Sequence, residues 1–419
     1  MNTQLTRRSF LRASLCAAPL AVWGTSRLTR LGFAADSAAA AGRDLLVSIF
    51  LRGGCDGLSL VAPVDDRDYI AARPAEFRLQ EKGENAGLAL KNGFAGGDWR
   101  LHREAAPLRE LYEMGDLAIV HACGLANGTR SHFDAQDMME RGIADQKNLG
   151  LDTGWLTRVI AALPDPGLLP GVAPAGTLPM SLLGTDHACA IANLQEFSYW
   201  GDDSEKAVLR SLQSLASPLA ASSQRTLALM EAIQKRLPHD KEGNVPKYQA
   251  AKGANYPEHE FSNALQTVAW MAKLDVGLQV AALDYGDWDT HSGQADRFRE
   301  QVKNLAGPLA AFYRDLAERS QRVTVVVMSE FGRRLKANES GGTDHGHGNV
   351  MLVLGKGIRG GRLHGAWPGL ANDRLDEHAD LAITTDYRQV LAEVLEKRMK
   401  CKTERIFPGW SSQRGLGLV

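Results

Sequence analysis

Asp287-Trp288-Asp289-Thr290-His291 and Thr343-Asp344-His345-Gly346-His347-Gly348 crowd carboxylates and imidazoles into a few residues, and Arg52-Gly53-Gly54-Cys55-Asp56-Gly57 sets a carboxylate among glycines. Carboxylate oxygen and imidazole nitrogen together suit a divalent metal ion, zinc above all. Asp289 and His291 flank a single residue, and Asp287 stands four positions before His291. They read as ligands of one ion or as a hydrogen-bonded Asp-x-His turn. At least one of His345 and His347 is expected to ligate as well. Asp56 either approaches an ion, since glycine lets backbone come close, or bonds its own backbone as turn aspartates do. Cys55 reads as a small buried side chain.

Ser329-Glu330-Phe331-Gly332 adds another carboxylate, followed by Arg333 and Arg334. These arginines meet an anionic substrate or pair with Glu330. Thr129-Arg130-Ser131-His132 is expected to open a helix, where Ser131 either caps the backbone or serves as a hydroxyl nucleophile near the metal. His132 is read only as a neighbour of that serine. No Gly-x-Ser-x-Gly elbow or Walker loop occurs, and the missing elbow disfavours a serine esterase of the α/β-hydrolase type.

The elements that must position these groups are strands. Asp44 to Leu51, Leu117 to His121, Leu278 to Leu283, Val323 to Met328 and Val350 to Leu354 are continuous apolar runs, the pattern of strands buried on both faces. Apolar residues at Val302, Leu305, Leu309, Phe312 and Leu316 predict an amphipathic helix between the third and fourth strands. That is a βαβ unit with parallel strands, and Gly307-Pro308 is expected to kink or split its helix. Further helices are predicted at Ser131 to Arg141, Ser262 to Leu274, and Asp386 to Lys397 with Thr385 as N-cap. The fold class expected is a doubly wound, mostly parallel α/β sheet with helices on both faces, whose strand ends gather the candidate ligands along one edge.

Thr6-Arg7-Arg8-Ser9-Phe10-Leu11-Arg12, an apolar stretch from Ala13 to Trp23 and a small-residue tail read as a twin-arginine export signal over residues 1–40. The apolar stretch of about 11 residues is short of the roughly 20 that span a bilayer. Expected consequences are a periplasmic or extracellular destination, the twin-arginine translocase as a partner during export, and no stable membrane insertion afterwards. Removing residues 1–40 takes away five Arg and one Asp and moves the formal charge from −1 to −5, which argues against a nucleic-acid groove. Cys55, Cys123, Cys189 and Cys401 show no Cys-x-x-Cys spacing. Residues 41–419 are expected to form one domain, with 235–260 a surface excursion.

Phe50-Leu51-Arg52-Gly53-Gly54-Cys55-Asp56-Gly57-Leu58, Arg130-Ser131-His132-Phe133-Asp134-Ala135-Gln136, Gly154-Trp155-Leu156, Trp288-Asp289-Thr290-His291, Ser329-Glu330-Phe331-Gly332-Arg333 and Gly342-Thr343-Asp344-His345-Gly346, with the export signal, resemble the bacterial family called domain of unknown function 1501. That family is grouped with the alkaline phosphatase and sulfatase superfamily. The resemblance implies an alkaline phosphatase-like sandwich with two metals at the strand ends. Asp56 would match the first-strand metal aspartate, and Ser131 the nucleophile, with Thr129 in reserve. Asp289 or Asp287 with His291 would form one metal site, completed by His345 or His347. Glu330 falls where the superfamily has an Asp-His pair, and Phe331 takes the histidine's place, so the second site lacks one ligand.

The function expected is an exported hydrolase or transferase acting on a small anionic phosphate or sulfate ester, with zinc, magnesium, manganese or calcium. Arg52, Arg130 or Arg333 would hold the nonbridging oxygens. The rival is a non-catalytic periplasmic accessory protein that keeps the fold and binds a partner.

Overall fold

The computed structural model describes residues 42–145, 151–198, 202–212, 218–411 and 413–419. The export signal expected over 1–40 lies outside them. The main sheet has nine strands, β1 Leu45–Leu51, β2 Leu117–Gly124, β3 Gly171–Ala173, β4 Ala188–Ala190, β5 Val280–Tyr285, β6 Val323–Met328, β7 Asn349–Gly355, β8 Leu363–His364 and β9 Thr385–Asp386. Their order is β8-β2-β7-β6-β1-β5-β3-β4, with β9 also on β2. Every pairing is parallel except those of β7 with β2 and β6. The five predicted runs are β1, β2, β5, β6 and β7. The four remaining strands have only two or three residues each, too few to show a pattern.

All seven residues of β1 are buried, so both faces of the sheet are covered. Leu46 and Phe50 share one cluster with Ala135, Met138 and Met139 of α1 (His132–Arg141) and with Val390, Leu391 and Val394 of the C-terminal helix. None of the buried residues of α2 (Glu260–Lys273) or α3 (Gln294–Asp315) belongs to that cluster. α2 packs against α3 and β5, which leaves this pair to cover the opposite face.

α3 runs as one helix through Pro308, so it is not split there. The ring removes one helix hydrogen bond at a cost of roughly 3 kcal/mol. Val302, Leu305, Leu309 and Phe312 are buried on both sides of it, and that continuous apolar face offsets the loss. The C-terminal helix α4 is Tyr387–Arg398, capped by Asp386 rather than Thr385; the Asp386 carboxylate accepts the Arg388 amide at 2.8 Å. Residues 195–247 cluster as a compact unit apart from 39–194 with 248–419. Helices Asp203–Leu212 and Pro218–Arg236 lie within it, and Glu231 accepts from both Lys206 and Arg210. Cys55, Cys123, Cys189 and Cys401 are free thiols.

Candidate metal centre

The parallel strands β1, β5 and β6 end side by side, with Leu51 opposite Tyr285 and Phe50 opposite Met328. Their following loops are therefore neighbours. Gly53, at φ 117°, passes so close to the β5 loop that a Cβ would lie 2.5 Å from the Asp289 amide nitrogen. Only glycine tolerates that conformation and that approach. Gly53→Ala is expected to destabilise the protein by roughly 1–3 kcal/mol and to displace Asp289. Thermal unfolding and metal titration would register the two effects together, and a variant unchanged in both would refute the close approach.

α1 begins after β2, where Ser131 Oγ accepts the Asp134 amide at 3.4 Å and makes His132 the first helical residue. A hairpin of Arg333–Ala337 with Thr343–His345 follows β6 and sets His345 opposite Arg333. These two elements and the β5 loop bring three imidazoles onto one carboxylate. His132 Nδ1 lies 2.7 Å from Glu330 Oε1, His291 Nδ1 3.1 Å from Asp344 Oδ1, and His345 Nδ1 2.9 Å from the Arg130 carbonyl oxygen.

Carbonyl oxygens and ionised carboxylates only accept, so the hydrogen-bond network assigns the Nδ1 proton to each ring. The lone pairs then sit on Nε2. His291 Nε2 and His345 Nε2 are 2.9 Å apart and stand 3.2 and 3.4 Å from Asp289 Oδ1. His132 Nε2 is 3.6 Å from Asp289 Oδ2 and, although buried, has no hydrogen-bond partner among the described residues.

Acceptor atoms of Asp289, His291 and His345 face one another, His132 Nε2 approaches the other Asp289 oxygen, and such an arrangement calls for a cation. Zinc–nitrogen bonds of roughly 2.0–2.1 Å in a tetrahedron separate ligand atoms by about 3.3 Å. The spacings of Asp289, His291 and His345 bracket that value. His132, Asp289 and His345, without His291, place one ligand atom each within 4.8 Å of one another, the one such group among the described residues. The donor set therefore fits a divalent metal ion. Burial lowers the pKa of the His345 ring, with the Arg333 charge acting the same way against the Arg130 carbonyl, so the ring favours its neutral, ligating form. Burial would raise the Asp289 carboxyl, but the hydrogen bond and charge of Arg333 outweigh it and keep Asp289 ionised below the usual carboxylate range.

The other candidates stand elsewhere. Asp56 is fully buried and caps Gly57–Leu60. Its oxygens accept from Ser59 Oγ at 2.8 Å, Gln294 Nε2 at 2.6 Å and both terminal nitrogens of Arg73. Its carboxylate thus faces a buried guanidinium and stands apart from the group of His132, Asp289 and His345. Arg333 is buried as well and donates to the carbonyls of Gly53, Gly54, Trp288 and Thr343 and to Asp289. It clamps three loops through Nε and both terminal nitrogens. Arg130 is engaged by Asp380 and Glu377, and Arg52 by Glu140, Asp284 and Gln136.

Glu330 is buried and faces away from the centre, toward Gly53, His132, Gln136 and Ser329. His347 Nδ1 bonds Asp376 at 2.6 Å, outside the group, and Asp287 is exposed at φ 67°, also outside it. Ser131, one peptide before His132, is half-buried, and its amide donates to Thr129 Oγ1 at 3.2 Å. The residues that sequence reasoning left out are His132 as a ligand and Arg73 and Gln136 as partners. His132 is visible only as the neighbour of Ser131 at the expected helix start, and the partners have no local signal.

A family profile described as "Protein of unknown function (DUF1501)" matches residues 120–406. The chain belongs to this family. The DUF1501 stretch contains His132, Asp289, His291, Glu330 and His345, whereas Asp56 and Arg73 precede it. A comparison of the DUF1501 chain with curated proteins finds no match. Among solved structures it is similar to the C-terminal periplasmic domain of EcEptC from Escherichia coli in complex with zinc, at 7% identity and TM-score 0.36, covering 89% of each chain. Others are the phosphonate monoester hydrolase SpPMH from Silicibacter pomeroyi, at 9% identity and TM-score 0.39, covering 89% of this chain and 78% of that one, and an alkaline phosphatase from the Antarctic bacterium TAB5, at 8% identity and TM-score 0.31, covering 75% and 92%. These neighbours are alkaline phosphatase and sulfatase-like folds. At such identities and scores the likeness says nothing of activity. No helix among the described residues is long and apolar enough to cross a membrane.

Proposed function

We propose that this chain is an exported, metal-dependent hydrolase or transferase acting on a phosphate or sulfate ester, with Ser131 as nucleophile. The reading is carried by the three Nε2 lone pairs that meet on Asp289, one of them from the residue that follows Ser131. His132, Asp289, His291 and His345 would hold the ion. Three nitrogens and one carboxylate favour zinc or a similar transition ion over magnesium and calcium, which prefer all-oxygen shells. Such an ion, when bound, polarises an ester oxygen and lowers the pKa of a nearby hydroxyl.

The chain's own residues do the rest. Asp289 and Arg333 keep the centre's charge balanced, and the N-terminus of α1 favours the anionic group. Ser131 Oγ bonds to phosphorus or sulfur as the bond to the alcohol oxygen breaks, and the proton Ser131 gives up matches the one the alcohol takes. Water then frees the anion in hydrolysis, or an acceptor alcohol takes it in transfer. Export through the twin-arginine translocase follows from residues 1–40.

The second reading is an exported accessory protein without catalysis. It is favoured by the pairing of Arg52, Arg130 and Arg333 with protein carboxylates, which offsets the charge each could offer an anion. Metal analysis, with turnover of p-nitrophenyl phosphate and p-nitrophenyl sulfate under zinc, manganese and magnesium, separates the readings. Ser131→Ala is expected to lower turnover by more than about 100-fold while costing about 1 kcal/mol of stability as a lost cap. A metal-loaded protein inactive on both esters, with a partner bound, would support the accessory role.

A further inference from the structure

Glu330 occupies the strand-end position at which a ligand is expected, yet its oxygens point at protein donors. Oε1 alone accepts from the Gly53 amide at 2.8 Å, His132 Nδ1 at 2.7 Å and Gln136 Nε2 at 2.7 Å. Oε2 accepts from Ser329 Oγ at 2.9 Å. A single oxygen thereby joins the β1 loop to two residues one turn apart on α1. We propose that Glu330 is a positioning residue rather than a ligand: through Oε1 it fixes the tautomer and orientation of His132, so that Nε2 is delivered to the metal centre as a lone pair. This rests on the metal centre proposed above.

Two observations carry it. The first is the buried His132 Nε2, which has no partner among the described residues and is aimed at Asp289. A ring held only by packing would turn to satisfy that nitrogen, whereas a ring held by a carboxylate at Nδ1 cannot turn without losing a hydrogen bond to a charged acceptor. The second is the position of Glu330 itself. It is fully buried, its neighbours are neutral donors, and among the described residues no Lys or Arg pairs with it. A buried carboxylate without a cation is costly, and a cation on the far side of the imidazole supplies the balance, as in carboxylate–histidine–metal arrays.

The surroundings also provide a clean probe. Ser329 Oγ accepts the Cys55 amide at 2.9 Å and can donate to the Leu51 carbonyl at 2.7 Å instead of to Glu330. A glutamine at 330 can therefore keep all four contacts: its oxygen would accept the three donors and one amide N–H would donate to Ser329 Oγ. Glu330→Gln removes the charge and keeps the geometry.

The test has two arms. In metal-free protein labelled with 15N-histidine, NMR is expected to find His132 as the Nδ1–H tautomer in the wild type and in Glu330→Gln. A mixture of tautomers is expected in Glu330→Ala. In the second arm, zinc competition against a chromophoric chelator and the visible spectrum of the cobalt-substituted protein are expected to show affinity reduced roughly 10-fold in Glu330→Gln, within the 10–100-fold range of outer-shell changes. The cobalt spectrum should be unaltered in band position. A changed ligand field in Glu330→Gln would make Glu330 a ligand and overturn the inference. So would wild-type zinc affinity, or His132 as the Nε2–H tautomer in the wild type. A wild type that binds no metal but holds the Nδ1–H tautomer would sink the metal reading and leave the positioning role standing.

Discussion

Arg73→Met is expected to cost about 3–5 kcal/mol of stability, the usual penalty for removing one partner of a buried ion pair. Arg73 and Asp56 are both without exposed side-chain area. Besides Asp56, Arg73 donates to Ser59 Oγ and to the carbonyls of Arg334 and Leu335. Without it, Asp56 keeps Ser59 and Gln294 but no cation. The double variant Arg73→Met with Asp56→Leu should recover much of the loss, because it removes the stranded charge. Denaturant unfolding of the two single variants and the double one would check this. A large loss of bound metal with no loss of stability in Arg73→Met would instead tie Asp56 to the metal.

Acid makes the same point with a definite sign. Burial would raise the Asp56 carboxyl, but Arg73, with the Ser59 and Gln294 hydrogen bonds, outweighs burial and lowers it below its ordinary value. A lowered folded-state pKa contributes stability above the unfolded-state value of roughly 3.9, and that stability is lost as pH falls through the folded value. Asp56→Asn is therefore expected to be less stable than wild type at neutral pH and to lose less on acidification below about pH 4.

Asp289→Ala is expected to abolish metal binding, exceeding the roughly 10–100-fold effect of outer-shell changes. Asp289 is the sole carboxylate in the ligand group and also receives the buried Arg333 guanidinium. Its removal leaves Arg333 as an uncompensated positive charge beside the lone pairs, which repels a cation as well as depriving it of a ligand. A bound ligand stabilises the folded state by about 2.7 kcal/mol when its free concentration is a hundred times Kd. Zinc should therefore raise the unfolding midpoint of the wild type, a chelator should reverse the rise, and neither should move Asp289→Ala. A variant that still gained stability from zinc would place the metal elsewhere.

Several elements of this molecule are legible along the chain because their causes are local. A strand buried on both faces must be apolar throughout, so β1, β5 and β6 stand out. α3 is visible in the spacing of Val302, Leu305, Leu309 and Phe312. Since parallel strands end along one edge, the neighbourhood of Asp289, His291 and His345 follows from those elements. The short strands β8 and β9 do not, because two residues cannot display a period.

What the sequence by itself determined is the sheet, its main helices and the chemical types gathered at the strand ends. Only the tertiary structure decided which of those groups face one another. Asp56 meets Arg73 and Gln294, Glu330 meets His132 across 198 positions, and Arg333 turns inward to the loop carbonyls. A carboxylate beside a guanidinium is an ion-pair partner, whereas the same carboxylate facing three imidazole lone pairs can ligate a metal. That choice rests on long-range hydrogen bonds that no local pattern encodes.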